Sequence, residues 1–207
     1  KIEIIHNAAS CTFGIIEKDQ CEELREIMNL PEEFIFSVGT IEPRKNYNAL
    51  IEAYAKIKPH HPNVKLVIAG KKGWKSEGIY QLVEDLNLKE DIIFLGYVTE
   101  DELAKLYNLA AIFAYPSLYE GFGIPPLEAM KCGCPVVTSN ISSLPEVVGD
   151  AAMLVNPNES DELKDALHKL LSTPSLMEEF KAKGLEQYKK FSWETSARKL
   201  LAIINQI

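Results

Sequence analysis

Two carboxylates eight residues apart, Glu120 and Glu128, bracket the run Gly121-Phe122-Gly123-Ile124-Pro125-Pro126-Leu127. The glycines permit positive φ or a close approach of the backbone to a ligand. Pro125 and Pro126 suit the first turn of a helix, where a missing N–H costs nothing. Amides between Gly123 and Leu127 would then face the loop and could hold an anion, with both carboxylates in reach of the same place. Alone, Glu128 is an acidic residue favoured by the helix dipole by about 0.3 to 1 kcal/mol, and Glu120 is a loop carboxylate. Their joint occurrence in one Gly/Pro loop is what points to a site. A second candidate is Gly39-Thr40-Ile41-Glu42-Pro43-Arg44-Lys45-Asn46. Arg44 and Lys45 follow a strand-like run at the mouth of a helix that Asn46 can cap, where side-chain charge and helix dipole both attract a diphosphate. An isolated Arg-Lys pair is otherwise ordinary solvated surface.

Both loops need a scaffold, and the surrounding pattern supplies one. Short β-branched runs, Phe34 to Val38, Val64 to Ala69, Ile92 to Leu95, Ala111 to Tyr115, Pro135 to Thr138 and Ala152 to Val155, are bounded by turn residues. Between them apolar positions recur three and four apart, as in Leu50, Ile51, Tyr54, Ile57 and in Leu103, Leu106, Tyr107. Strands such as Leu66-Val67-Ile68-Ala69 are apolar without alternation, which fits a sheet covered on both faces. The expectation is an α/β fold: a doubly wound, mostly parallel, Rossmann-like sheet followed by C-terminal helices. Those helices are expected over Asp161 to Leu171, Ser175 to Tyr188 and Trp193 to Ile204, with Ser160 or Asp161 and Ser192 as N-caps. One domain is expected over 1–207: a lead-in over about 1–30, an α/β core over 31–172 and helices over 173–207. In such a sheet ligands sit at the carboxyl ends of the strands, where both candidate loops lie.

Composition narrows the chemistry. The chain has 207 residues, 46% hydrophobic and 25% charged, enough for one large core. A formal net charge of −8 gives no electrostatic reason to expect nucleic acid as a partner, yet a small phosphorylated ligand needs only two or three local cations. Cys11, Cys21, Cys132 and Cys134 match neither a zinc ribbon nor a redox CxxC, so reduced thiols of a cytoplasmic protein are expected. No apolar run is long enough for a spanning helix. The start at Lys1, without an initiator methionine and directly in strand-like Ile2-Glu3-Ile4-Ile5, reads as a cut from a longer polypeptide. His6, His60, His61 and His168 form no triad or metal pattern and are read as surface or packing residues. Trp74, in Gly70-Lys71-Lys72-Gly73-Trp74, either lines the cleft or packs in its loop. The stripe Leu200, Leu201, Ile204 either packs in the core or docks on a missing partner domain. A Gly-x-Gly-x-x-Gly fingerprint after the first strand and a P-loop are both missing, which argues against a dehydrogenase and an NTPase.

The run from Glu120 to Met130 resembles the E-x7-E signature of retaining GT-B glycosyltransferases of family 4, the glycosyl transferases group 1. The similarity extends through Phe36-Ser37-Val38-Gly39-Thr40, Pro43-Arg44-Lys45-Asn46, Phe94-Leu95-Gly96-Tyr97-Val98, Gly133-Cys134-Pro135-Val136-Val137 and Leu144-Pro145-Glu146. The resemblance implies that Glu128 accepts hydrogen bonds from the donor ribose and that Glu120 lies near the transferred sugar. Arg44 and Lys45 would neutralise the leaving diphosphate. Gly39 and Thr40 would border it, and Thr40 stands where family members often carry an arginine. Backbone at Tyr97 and Val98 would read the base. Gly121, Phe122, Gly123, Ile124 and Leu127 would meet sugar hydroxyls and phosphate through the loop amides.

The family's fold has two Rossmann-like domains, so this chain resembles the C-terminal, donor-binding one with the N-terminal acceptor domain absent. The partner implied is a GDP- or UDP-linked sugar, plausibly GDP-mannose because Val38 to Asn46 resembles bacterial mannosyltransferases. The acceptor would be a glycan or a lipid-linked one, and any membrane contact would run through the missing half. Alone, the fragment is expected to bind without appreciable transfer. No cofactor or metal is expected, since fixed cations can stabilise the leaving group and no Asp-x-Asp triplet is present. The alternatives are a standalone nucleotide-sugar-binding module without catalysis, and a glycogen-synthase-like or epimerase GT-B enzyme. Base, sugar, acceptor, linkage and the choice between front-face and double-displacement routes stay open at this level.

Overall fold

A computed structural model of the chain describes residues 2 to 205. Six strands, β1 (Phe34–Val38), β2 (Lys65–Ala69), β3 (Ile92–Gly96), β4 (Ile112–Tyr115), β5 (Val136–Ser139) and β6 (Ala152–Val155), form one sheet. Its order is β3-β2-β1-β4-β5-β6 and every pairing is parallel. Each expected strand is present to within a residue or so at its ends. The chain winds outward from β1 to β3, then returns across the sheet to start the other half at β4. The crevice between β1 and β4 is therefore the topological switch point, the place where open α/β sheets take their ligands.

The unbroken apolar strands are explained by two cores. Phe34, Phe36, Val67, Ala69, Phe113 and Tyr115 face one, while Ile35, Leu66, Ile68, Ile112 and Ala114 face the other. Helices α2 (Tyr47–Ile57), α3 (Glu77–Asp85) and α7 (Ser160–Ser172) cover the second. Helices α1 (Lys18–Ile27), α4 (Glu100–Leu109), α5 (Ile124–Lys131) and α6 (Leu144–Val148) cover the first. With α8 (Pro174–Gln187) and α9 (Trp193–Ile204) they complete the α-helices among the described residues, and two 3-10 turns, Pro43–Lys45 and Tyr188–Lys190, join them. The helices α1, α3 and α6 are additions to the sequence reading.

Several local expectations are corrected. Residues 2 to 16 carry no strand. Their backbone is tied by side chains instead: Asn108 donates to the Gly14 carbonyl at 2.9 Å and accepts from the Ile16 amide at 3.0 Å, and Ser196 donates to the His6 carbonyl. The N-cap of α7 is Glu159, not Ser160 or Asp161. The side chains of those two are both engaged by Lys56 Nζ of α2, at 3.1 and 2.9 Å. Ser192 does cap α9, accepting from the Thr195 amide at 3.1 Å. The stripe Leu200, Leu201 and Ile204 stays outside the core, at 47, 60 and 54% exposure.

The carboxyl ends of the strands are laced before any side chain acts. Gly39 N–H donates to Ala69 O and Gly70 N–H to Gly96 O, joining the tips of β1, β2 and β3. Ile41 N–H then donates to Lys71 O, and Gly73 N–H returns to Ile41 O. Gly70, at φ 146°, lies so close under the neighbouring loop that a Cβ would stand 2.0 Å from the Gly39 carbonyl oxygen. Gly70→Ala is therefore expected to cost about 2 kcal/mol or more, since backbone must shift as well as adopt a strained φ. A urea unfolding midpoint indistinguishable from that of the wild type would refute this account of the loop.

Candidate functional site

Lys45 closes a short 3-10 turn, Pro43–Lys45, and Asn46 next to it is left-handed at φ 58°. Asn46 is the N-cap of α2 by position, yet its side chain does not cap. Its amide donates instead to the carbonyls of Pro116 (3.1 Å) and Pro157 (2.7 Å), pinning the β1 loop to two other loops. The Arg44 carbonyl accepts from the Leu118 amide at 2.8 Å and from Ser117 Oγ at 3.0 Å. The loops after β1 and β4 are thus stapled through backbone across the switch-point crevice.

Four donors meet on one oxygen there. Glu120 Oε1 accepts from Lys45 Nζ (2.7 Å), Ser117 Oγ (2.7 Å) and the Tyr115 hydroxyl (2.8 Å), and it pairs with Arg44 Nη1 at 2.9 Å. Lys45 Nζ also donates to the Tyr115 hydroxyl. Burial by itself would raise the Glu120 pKa. Hydrogen bonds from Lys45 and Ser117, with the Lys45 charge and the Tyr115 hydroxyl, override it and hold the carboxyl below its ordinary range. The stem of Lys45 reaches this point across Gly39, where a Cβ would stand 2.9 Å from Lys45 Cε. Gly39 thus matters as the space through which the lysine passes.

Arg44 is held on its other edge. Its Nε and Nη2 donate to Glu42 Oε1 at 3.1 and 2.8 Å, while Glu42 Oε2 accepts from the Trp74 indole at 3.3 Å. Arg44 Nη1 also donates to the Tyr119 carbonyl at 2.8 Å. Trp74 is 61% exposed and reaches Glu42 through its indole N–H, so its ring is not packed inside its loop. Thr40 is exposed beside it, its methyl facing Gly73.

The Glu120–Glu128 loop is held from a third side. Ser142 Oγ donates to the Glu120 carbonyl and accepts from its amide, while Ser143 Oγ donates to the carbonyls of Glu120 and Phe122. Gly123, at φ 105°, precedes α5 and leaves room for Leu144, whose Cδ2 would lie 2.8 Å from an added Cβ. Leu127, expected at the ligand, is instead fully buried in the core within α5, so neither its side chain nor its backbone reaches the crevice surface. Phe122 packs between the lead-in and the C-terminal helices, against His6 and Phe191. Gly121 is exposed and Ile124 half-buried. Tyr97, after β3, is 70% exposed with the Lys71 ammonium 4.7 Å from its ring centre, and Val98 packs on the core.

Glu128 is the electrostatic opposite of Glu120. In the first turns of α5 it accepts from the fully buried Tyr107 hydroxyl at 3.1 Å, and no cation pairs with it among the described residues. Burial pushes its pKa up to about 7, Tyr107 opposing and Glu100 adding to the rise. Glu42, Tyr115, Ser117, Ser142, Ser143 and Tyr107 were not singled out from sequence. Glu42, two residues before Arg44, and Tyr115 and Ser117, five and three before Glu120, had a local signal there.

Of the histidines, His6 bonds Glu146 at 2.9 Å, and His61 bonds His168 at 2.9 Å beside His60. No group of three or more potential metal ligands able to hold an ion occurs among the described residues. The cysteines there are all free, with only Cys11 exposed.

The profile of the glycosyl transferases group 1 matches residues 21–187. The chain belongs to the glycosyl transferases group 1 family. It is 40% identical over 201 residues to the serotype-specific mannosyltransferase WbdA of Escherichia coli, covering 93% of this chain and 24% of that protein. It is also 40% identical over 196 residues to the O-antigen chain mannosyltransferase B of Escherichia coli, covering 92% of this chain and 51% of the relative. The chain thus spans between a quarter and about half of the relatives it matches. Anabaena Alr3699/HepE, solved with UDP and glucose, superposes with a TM-score of 0.89 at 20% identity, covering 99% of this chain and 57% of the other. Such a likeness places the chain's fold with the Rossmann-like domains of GT-B glycosyltransferases. As a group 1 domain it is a transferase component, and no helix among the described residues is long and apolar enough to cross a membrane.

The Glu128 environment makes the stability of this glycosyltransferase domain pH-dependent. A carboxyl whose folded pKa is raised binds its proton more tightly folded than unfolded, so its contribution is present below about pH 4.5 and is lost as pH rises to about 7. The loss is expected to reach roughly 3 kcal/mol by pH 8. Comparing unfolding at pH 5 and pH 8 in the wild type and in Glu128→Gln measures it. An equal pH slope in the two proteins would remove Glu128 as its source.

Proposed function

We propose that this chain is the donor-binding domain of a retaining glycosyltransferase of family 4. It holds a nucleoside-diphosphate hexose while a second domain presents a glycan or lipid-linked acceptor. The observation that carries this reading is the convergence of Arg44 and Lys45 with Glu120 at the β1/β4 switch point, one helix start away from the proton-poised Glu128. Mannose from GDP-mannose is the favoured donor, because two mannosyltransferases are 40% identical to this chain over aligned stretches of 201 and 196 residues.

Departure of the nucleoside diphosphate places negative charge on the bridging and terminal phosphate oxygens. Arg44 and Lys45, held by Glu42 and by the laced loops, neutralise that charge as Glu120 yields them, an electrostatic stabilisation by cations already in place. These cations do the work a divalent ion would otherwise do, so transfer proceeds without metal. Backbone of Gly39, Thr40 and the loop from Gly121 to Ile124 borders the phosphates and the hexose. Glu128 takes the ribose hydroxyls, and the exposed backbone at Tyr97 and Val98 faces the base. The exposed stripe of α9 fits a surface that packs on the acceptor domain, so this chain alone binds donor without appreciable turnover. The whole protein works on the cytoplasmic side, in peripheral contact with the membrane through that other domain.

Hydroxyl donors favour the carboxylate form of Glu128, so nucleotide binding should expel a proton near pH 7 and tighten as pH rises from 6 to 8. Calorimetric titration with GDP, UDP, ADP and their sugar conjugates, without metal, should give one saturable site. Glu128→Ala should weaken it about ten- to a hundredfold, the worth of hydrogen bonds to a charged acceptor. Equal affinity in wild type and variant would remove Glu128 from the ribose.

A further inference from the structure

The cations at the crevice mouth already hold an anion belonging to the protein. Arg44 and Lys45 both pair with Glu120 Oε1, and Arg44 also pairs with Glu42, so two formal positive charges face two negative ones and the cluster is neutral. A diphosphate that approaches these cations must compete with Glu120 for them. The loops do not depend on that carboxylate to stay together, because Leu118 N–H, Ser117 Oγ and Asn46 Nδ2 join them through carbonyls. The Glu120 backbone is independently fixed by Ser142 and Ser143. Its side chain can therefore exchange partners while its charge stays at the crevice.

That charge does not treat all diphosphates alike. A terminal phosphate esterified to a sugar carries a single negative charge, whereas a free one carries about −1.5 to −2 near neutral pH. The added charge falls on the group nearest the transferred sugar, the place the reading above gives to Glu120. We propose that Glu120 is a specificity-determining residue that discriminates the intact nucleotide sugar from the nucleoside diphosphate, lowering affinity for the leaving product by carboxylate–phosphate repulsion and by competition for Arg44 and Lys45. The inference rests on the donor-site reading and deepens it. A cluster built for phosphate affinity alone would leave its two cations unopposed, and this one opposes both.

The test compares Kd values for GDP against GDP-mannose and for UDP against UDP-glucose in the wild-type chain and in Glu120→Gln. The variant should bind the free diphosphate roughly three- to tenfold more tightly, the effect of one charge at the crevice mouth, and the nucleotide sugar, whose diphosphate carries less charge, by a smaller factor. An affinity ratio unchanged by the substitution, or moved toward the sugar conjugate, overturns the inference while leaving the donor site standing. Failure of both proteins to bind any of the four ligands overturns the donor-site reading and the inference together. Should Glu120→Gln not fold, the wild-type chain answers alone. Lowering pH from 8 to 5.5 protonates the free terminal phosphate, with a second pKa of about 6, and should shift the affinity ratio toward the diphosphate. Cations acting without Glu120 would shift it the other way, and Glu128 titration affects both ligands of a pair alike.

Discussion

Two cations and two hydroxyls share one carboxylate oxygen at the seam where the sheet changes direction, and most of the site's geometry follows from satisfying that arrangement. Lys45 is 10% exposed and Glu120 12% at the side chain, so neither could sit there alone without a large desolvation cost. Each is placed by a different strand. β1 delivers Lys45 through the bare backbone of Gly39, and β4 ends on Tyr115, whose hydroxyl lies between ammonium and carboxylate. The two strands pair in register through Ile35 with Ile112 and Phe36 with Phe113, so the ion pair extends a ladder that the core already fixes. A shift of the β1/β4 pairing by one residue would turn Tyr115 away from Glu120 and leave both charges unmatched.

Arg44 differs from Lys45 in having two masters. Glu42 takes the Nε edge of the guanidinium and Glu120 takes Nη1, which uses the planar fork in a way an ammonium could not. Glu42 is in turn reached by Trp74, on a loop that Gly70 and Gly73 allow to lie directly against residues 39 to 41. The outer rim of the crevice, from Trp74 to Glu42 to Arg44, is thus a chain of hydrogen bonds built on backbone close packing. This explains why a stretch of lysines and glycines after β2, unremarkable in composition, stands at the site.

The strands and most helices were legible in the sequence because burial on both faces leaves a direct trace in residue type: unbroken apolar runs between turn residues. The loops carrying Arg44, Lys45, Glu120 and Glu128 were legible because glycine, proline and charge occur there at strand ends. The partners were not. Ser142 and Ser143 are residues of ordinary type whose meaning comes from Glu120, 22 and 23 positions back, while Ser117 and Tyr115 join nearby Glu120 to Arg44 and Lys45, 73 and 70 positions away. Asn46 was misread for the same reason: an asparagine before a helix is a good cap in isolation, but here two distant carbonyls claim its amide. Ser160 and Asp161 failed as caps because Lys56 of another helix occupies their side chains. In each case a tertiary hydrogen bond outweighed a local preference worth about 1 kcal/mol.

The two acidic residues of the loop illustrate why spacing alone could not assign them. Both are substantially buried, and burial pushes both toward the neutral acid. Glu120 is rescued by Lys45, Ser117 and Tyr115, which hold its carboxyl below the ordinary range. Glu128 receives one hydroxyl, from Tyr107, and is left near the point of half-protonation at neutral pH. A carboxylate already saturated by the protein has little to gain from further donors, whereas one held at the cost of desolvation gains most from a pair of hydroxyls. The difference in pKa therefore separates the two environments. The carboxylate that keeps its charge is the one saturated by the protein's own donors, and the one that nearly loses it is the one with acceptor capacity still unfilled.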